Sequence, residues 1–151
     1  MDYNNQFYSN VDEITEITQE IKKAKNLSDV LKPEVFAPPN GWADKITKQL
    51  KEQHNKDKKI PELKTSQLRK IFAEVKDICE KRIKGLTDDN TELYLLYPKL
   101  AYAQGRDLMP RNFYELLIAC LDKLKNNADK KDFKRFEEFM TAIVAYNKQY
   151  E

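Results

Sequence analysis

Thr65-Ser66-Gln67-Leu68-Arg69-Lys70-Ile71-Phe72 opens the most regular helical pattern in the chain. Apolar residues fall at Leu68, Ile71, Phe72, Val75, Ile78, Cys79 and Ile83, the spacing of one stripe on an α-helix. Thr65 or Ser66 supplies a hydroxyl to cap the free N–H groups of the first turn. Gly85 ends the pattern, as the residue type that most easily turns left-handed past a helix C-terminus. Lys81, Arg82 and Lys84 fill the last turn, where positive charge suits the helix dipole. The stretch predicts a long amphipathic helix with one face in a core.

Most charges on this helix have a local opposite. Lys70 stands four residues before Glu74, Lys76 four before Glu80, and Asp77 four before Lys81. Such pairs solvate an exposed face. Arg69 finds only Thr65, Ser66, Phe72 and Ala73 at those spacings. It is either an ordinary solvated arginine or one free to serve a partner.

Toward the C-terminus, Thr87-Asp88-Asp89-Asn90 reads as a turn and cap. The next helix carries Leu93, Leu96 and Leu100, with Tyr94, Tyr97 and Tyr102 beside them. These tyrosines belong to the core or offer a face to bases and sugars. Pro98 must kink this helix or start a new one, and Gly105 supplies a C-terminus. Lys99 and Arg106 resemble Arg69 in having no acid three or four residues away. Pro110 opens a helix with a stripe of Phe113, Leu116, Leu117, Cys120, Leu121 and Leu124, ended by Asn126-Asn127. The last helix starts near Asp129 and presents Phe133, Phe136, Met140, Ile143 and Val144. On it Lys134 faces Glu138, and Arg135 has Asp132 and Glu138 in reach.

Toward the N-terminus, Lys51 to Lys64 is basic, polar and broken by Pro61. It reads as a mobile loop, either a solvated linker or a phosphate-contacting segment. A helix with Trp42, Ile46 and Leu50 on one side precedes it. Pro38-Pro39-Asn40-Gly41 is the clearest breaker. It divides an N-terminal arm and helix, residues 1–40, from a helical-bundle domain, residues 41–151. Residues 1–10 read as a loose arm. Ser9 or Asn10 can cap a thin helix through Val11, Ile14, Ile17 and Ile21, which must dock on the body or on a partner. Ser28-Asp29 caps a short turn that Pro33 interrupts. No β-type alternation occurs. The fold expected is all-α, a compact bundle of about five or six helices with an N-terminal helical extension.

With 151 residues, the chain can bury a core without staples. Its 27 basic and 25 acidic residues are intermixed, so net charge does not announce a nucleic-acid binder, although a local basic surface remains open. At 34% charged it is expected to be soluble, and no apolar run nears the roughly 20 residues of a membrane span. Cys79 and Cys120 occupy apolar-stripe positions without Cys-x-x-Cys spacing, so they read as buried thiols in a cytoplasmic chain. His54 is the one histidine and has no carboxylate partner to make a triad. No phosphate loop, dinucleotide fingerprint or His-Glu-x-x-His is present. Asp88-Asp89 fits a cap better than a metal centre. No catalytic residue, metal ligand or cofactor is assigned.

Three stretches together resemble the small subunit of the type III-A CRISPR–Cas effector, the Csm complex. They are Thr65 to Phe72, Pro98-Lys99-Leu100-Ala101-Tyr102-Ala103-Gln104-Gly105-Arg106, and Phe133-Lys134-Arg135-Phe136-Glu137-Glu138-Phe139 running on to Ala142-Ile143-Val144-Ala145-Tyr146-Asn147-Lys148. Their order and spacing cover roughly residues 60–150. The resemblance implies a non-catalytic all-α subunit that stacks in several copies beside the backbone and large subunits. It also implies that the chain lines the path of guide RNA and target RNA in antiviral defence. Carried to this chain, RNA contact falls on Arg69 and Lys70, on Lys99 and Arg106, and on Lys134 and Arg135. A subunit repeated along a guide of arbitrary sequence must hold phosphates and sugars rather than read bases. The sharpest expectation is that Arg69, Lys99 and Arg106 converge on one surface. The competing reading is a structural adaptor that touches protein alone.

Overall fold

A computed structural model describes residues 12–151. Seven α-helices follow in order: α1 (Glu13–Lys23), α2 (Pro33–Phe36), α3 (Trp42–Lys56), α4 (Thr65–Ile83), α5 (Thr91–Gly105), α6 (Arg111–Leu124) and α7 (Lys130–Gln149). A 3₁₀ turn, Leu27–Asp29, sits between α1 and α2, and no strand occurs among the described residues. The fold is all-α, as the periodicities imply.

Helix α7 is the central post. Its Phe133, Phe136, Phe139, Met140 and Ile143 are all buried. It packs most extensively on α4 and also meets α3, α2 and the 3₁₀ turn. Helix α6 forms the other side of the core, packing on α1 and α5. The apolar edge of α1, Ile14, Ile17 and Ile21, is buried there, and Phe36 of α2 meets Phe139 of α7 edge-on, with ring centres 5.4 Å apart. Residues 12–40 therefore share one hydrophobic cluster with residues 41–151. The loose arm at residues 1–10 and the cap expected at Ser9 or Asn10 lie outside the described residues. Helix α1 is capped by Asp12, whose carboxylate accepts from the Thr15 N–H at 3.0 Å.

Four local features differ from the sequence reading. Neither Thr65 nor Ser66 caps α4; Lys64 holds the cap position with no side-chain bond. The C-terminal end of the chain supplies the polar partners instead. The Thr65 N–H donates to Glu151, and Asn147 donates to the Thr65 hydroxyl and the Leu63 carbonyl, both at 3.1 Å. The segment 51–64 is only partly a loop, because α3 continues to Lys56. His54 lies in that last turn, with Nδ1 2.7 Å from the Ile60 carbonyl. Pro33 starts α2 rather than merely interrupting a turn, because its missing N–H is no loss in a first helical turn. Pro98 starts no new helix, one of the two outcomes expected of it, because α5 runs on through it.

The two glycine-marked helix ends differ as well. Gly85 follows α4 with φ +71°, and the Leu86 N–H returns to the Lys81 carbonyl at 2.8 Å, closing the helix as expected. At α5, Gly105 is still helical. The left-handed residue is Asp107, with φ +60°, and the Leu108 N–H reaches back to the Ala103 carbonyl at 2.9 Å.

Candidate nucleic-acid interface

Helices α4 and α5 run antiparallel. Near their turn Lys81 of α4 bonds Glu92 of α5 at 2.9 Å, and farther out Glu74 of α4 meets Lys99 of α5 at 2.7 Å. Hydrogen bonds to Glu92 and Asp77 hold the Lys81 ammonium above the usual lysine range. Around and beyond the Glu74–Lys99 bridge a groove of about 460 Å³ opens between the helices. Ile71, Leu96, Leu100, Ala103 and Leu108 give it apolar walls. Lys70, Lys99 and Tyr102 also line it. Tyr102 is 63% exposed. Arg106 donates to the Tyr102 hydroxyl at 3.0 Å, with its guanidinium carbon 5.6 Å from the ring centre. One end of the groove is thus an exposed aromatic ring that carries an arginine.

Lys70 and Lys99 line this groove, and Arg106, which does not line it, is joined to it through Tyr102. Lys99 is not free, however: the fold supplies the acid that sequence spacing did not, 25 residues away at Glu74. Both partners of that bridge are about half exposed, so it is worth on the order of 0–1 kcal/mol. Lys70 and Arg106 are exposed and make no ion pair among the described residues. The local pair expected between Lys70 and Glu74 does not form, because Glu74 turns to Lys99. Arg69 is also exposed and makes no ion pair among the described residues. It leaves α4 about 100° round the axis from Lys70 and does not line the groove.

Lys134 and Arg135 lie elsewhere. Helix α7 runs antiparallel to α4, since Asn147 meets Thr65 at one end and Phe133 meets Arg82 at the other. Lys134 therefore sits beside the C-terminal end of α4, some twelve residues or roughly 18 Å along that helix from Lys70. Lys134 is exposed, and Arg135 is bound to Glu138 at 2.7 Å. The six candidates occupy three places rather than one. Tyr102 and Glu74 belong to the groove but were not among them. Spacing of three and four residues cannot reveal Glu74, a partner contributed by a different helix.

Other reactive groups are engaged or enclosed. Cys79 and Cys120 are buried, and burial pushes both thiols up. Burial, reinforced by the neighbouring Glu80, likewise raises the Glu137 carboxyl. No cluster of metal-binding side chains occurs among the described residues.

Residues 41–151 match the family model Csm2 Type III-A. The chain belongs to the Csm2 family. It is a small subunit of the type III-A CRISPR–Cas effector, the Csm complex, and works among that complex's other subunits. Comparison with curated proteins and with solved structures gives no match. The Csm2 match takes in α3 to α7, and with them the groove and all six candidate cations. It leaves out α1 and α2, whose side chains complete the same core. No helix among the described residues is long and apolar enough to cross a membrane.

Proposed function

We propose that this Csm2 chain binds the sugar–phosphate backbone of guide or target RNA inside the cytoplasmic Csm complex, without sequence preference and without a catalytic step of its own. The observation that carries the reading is one groove lined by Lys70, Lys99 and the exposed Tyr102, whose ring also carries Arg106. Flexible cations position phosphates but carry no sequence information. An aromatic face stacks on any base or sugar. The Lys99–Glu74 bridge is exposed and weak, so a phosphate can replace the carboxylate at little cost. Non-catalytic action is supported by the engagement of the sole histidine with Ile60 and by the burial of both thiols. Arg69, Lys134 and Arg135 then serve as separate contacts outside the groove, along a longer RNA path.

The test is RNA binding by the assembled complex as a function of salt. Each lost phosphate contact lowers the salt slope by about 0.7 for a single strand. Lys70→Ala with Arg106→Ala is expected to weaken binding and to flatten the slope by about 1.4. Unchanged affinity and slope would remove the groove from the RNA path.

A second surface favours protein contact. Leu86, Leu95 and Tyr94 are 72, 54 and 53% exposed along the α4–α5 turn and the outer side of α5. A purely structural adaptor would use such residues and leave the cations idle. Neighbouring subunits or further copies of this chain are the proposed occupants of that surface. Crosslinking the assembled complex separates the readings: adducts between RNA and α5 exclude the adaptor.

A further inference from the structure

Gly105 lies in the last turn of α5, and nothing in the fold requires a glycine there. Its backbone is helical, and the left-handed position that would demand glycine is taken two residues later by Asp107. A Cβ built on Gly105 meets no atom of the described residues within 4 Å. Gly85 provides the contrast, because its φ of +71° accounts for its identity. A helical glycine exposes backbone and costs stability relative to alanine. Gly105 does not itself line the groove, but it is the immediate neighbour of Arg106 and stands three residues from Tyr102, the bonded pair of which Tyr102 lines it.

We infer that Gly105 is bare because the RNA backbone packs directly on its Cα, in the space a side chain would fill. The inference rests on the RNA reading of the α4–α5 groove. The group in contact is a ribose rather than a phosphate. The end of α5 presents carbonyl oxygens, the negative pole of the helix, which repel phosphate. Along α5, Lys99 comes six residues before Gly105 and Arg106 one after it, and in this reading they take the flanking phosphates. Gly105 is therefore a positioning residue. It sets how closely the strand approaches, and so how well those two cations reach it.

Gly105→Ala separates this role from folding and from charge. The isolated variant chain is expected to melt at a higher temperature than the parent. The assembled complex carrying it is expected to bind a single-stranded RNA oligonucleotide about five- to tenfold more weakly, with an unchanged salt slope, because no charge is lost. Arg106→Ala is the internal standard, lowering both affinity and slope. If Gly105→Ala binds RNA like the parent while Arg106→Ala does not, the close approach is refuted and the groove reading stands. If neither variant changes RNA binding, both fall. A lower melting temperature for Gly105→Ala would show that the fold needs this glycine and would also overturn the inference.

Discussion

Replacing Phe36 by alanine tests whether residues 12–40 are an attachment or part of the core. Phe36 is 2% exposed and meets Phe139, itself fully buried on the central helix. Returning a phenylalanine of this kind to water removes roughly 1.5–3 kcal/mol. The edge-on pair adds about 0.5–1.5 kcal/mol. The cavity left behind brings phenylalanine-to-alanine losses to about 3–5 kcal/mol in packed cores. Helix α2 has only four residues and can settle inward, so the lower part of that range is expected, about 3–4 kcal/mol. With a urea slope near ~2 kcal/mol/M, the midpoint should fall by about 1.5–2 M in one cooperative transition. Circular dichroism and the fluorescence of Trp42 should move together. A double-mutant cycle with Phe139→Ala should return a coupling of about 0.5–1.5 kcal/mol. A loss below about 1 kcal/mol, or a second transition in which residues 41–151 unfold as before, would refute the single-core argument.

Asp132→Ala should cost about 2 kcal/mol at neutral pH, because the carboxylate caps α7 at Asp129 and also accepts the Ser28 N–H at 2.8 Å. Burial pushes the Asp132 carboxyl up, but the hydrogen bonds from Asp129 and Ser28 outweigh it and leave the carboxyl below its ordinary 3.8. Its stabilisation is therefore complete above that value and lost as pH falls through the lowered one, so urea melts at pH 7 and at pH 2–3 should show the variant's deficit shrinking in acid. Cys79 and Cys120 should resist a thiol reagent in the native chain and react fully in denaturant; fast labelling of either without unfolding would contradict their burial. Glu74→Gln should leave the melting temperature nearly unchanged, because it removes only an exposed bridge. It should strengthen low-salt RNA binding by up to about fivefold through the freed Lys99; weaker binding would mean that Glu74 orients Lys99 for its contact.

The helices were legible because burial repeats along the sequence. The Leu68 to Ile83 stripe became α4, the Phe113 to Leu124 stripe became α6, and the aromatic run after Asp129 became α7. Helix ends were less legible where long-range partners decide them. Thr65 invited a capping role, yet its hydroxyl accepts from Asn147, 82 residues on. The same limit governed the site. Local spacing found that Lys99 and Arg106 lack nearby acids, but Glu74 comes from another helix. Helical phase in turn carries Arg69 away from Lys70, although the two are adjacent in sequence. Tyr102 was legible only as one of three tyrosines. Its distinction, an arginine resting on an exposed ring, follows the same four-residue helical spacing, which sets Arg106 one turn beyond Tyr102.

The burial of α1 in the common core has an evolutionary consequence. Ile14, Ile17 and Ile21 lie outside the stretch matched by the family, yet they rest on side chains within it. A region that drifts in sequence while pressed against a constrained one cannot drift freely. Each enlarged side chain on α1 demands a smaller one on α6, and each loss demands a filler. The α1 positions of related chains should thus differ in letters yet conserve volume. Their changes should be paired with changes on the inner face of α6, leaving the exposed rim of the α4–α5 groove untouched.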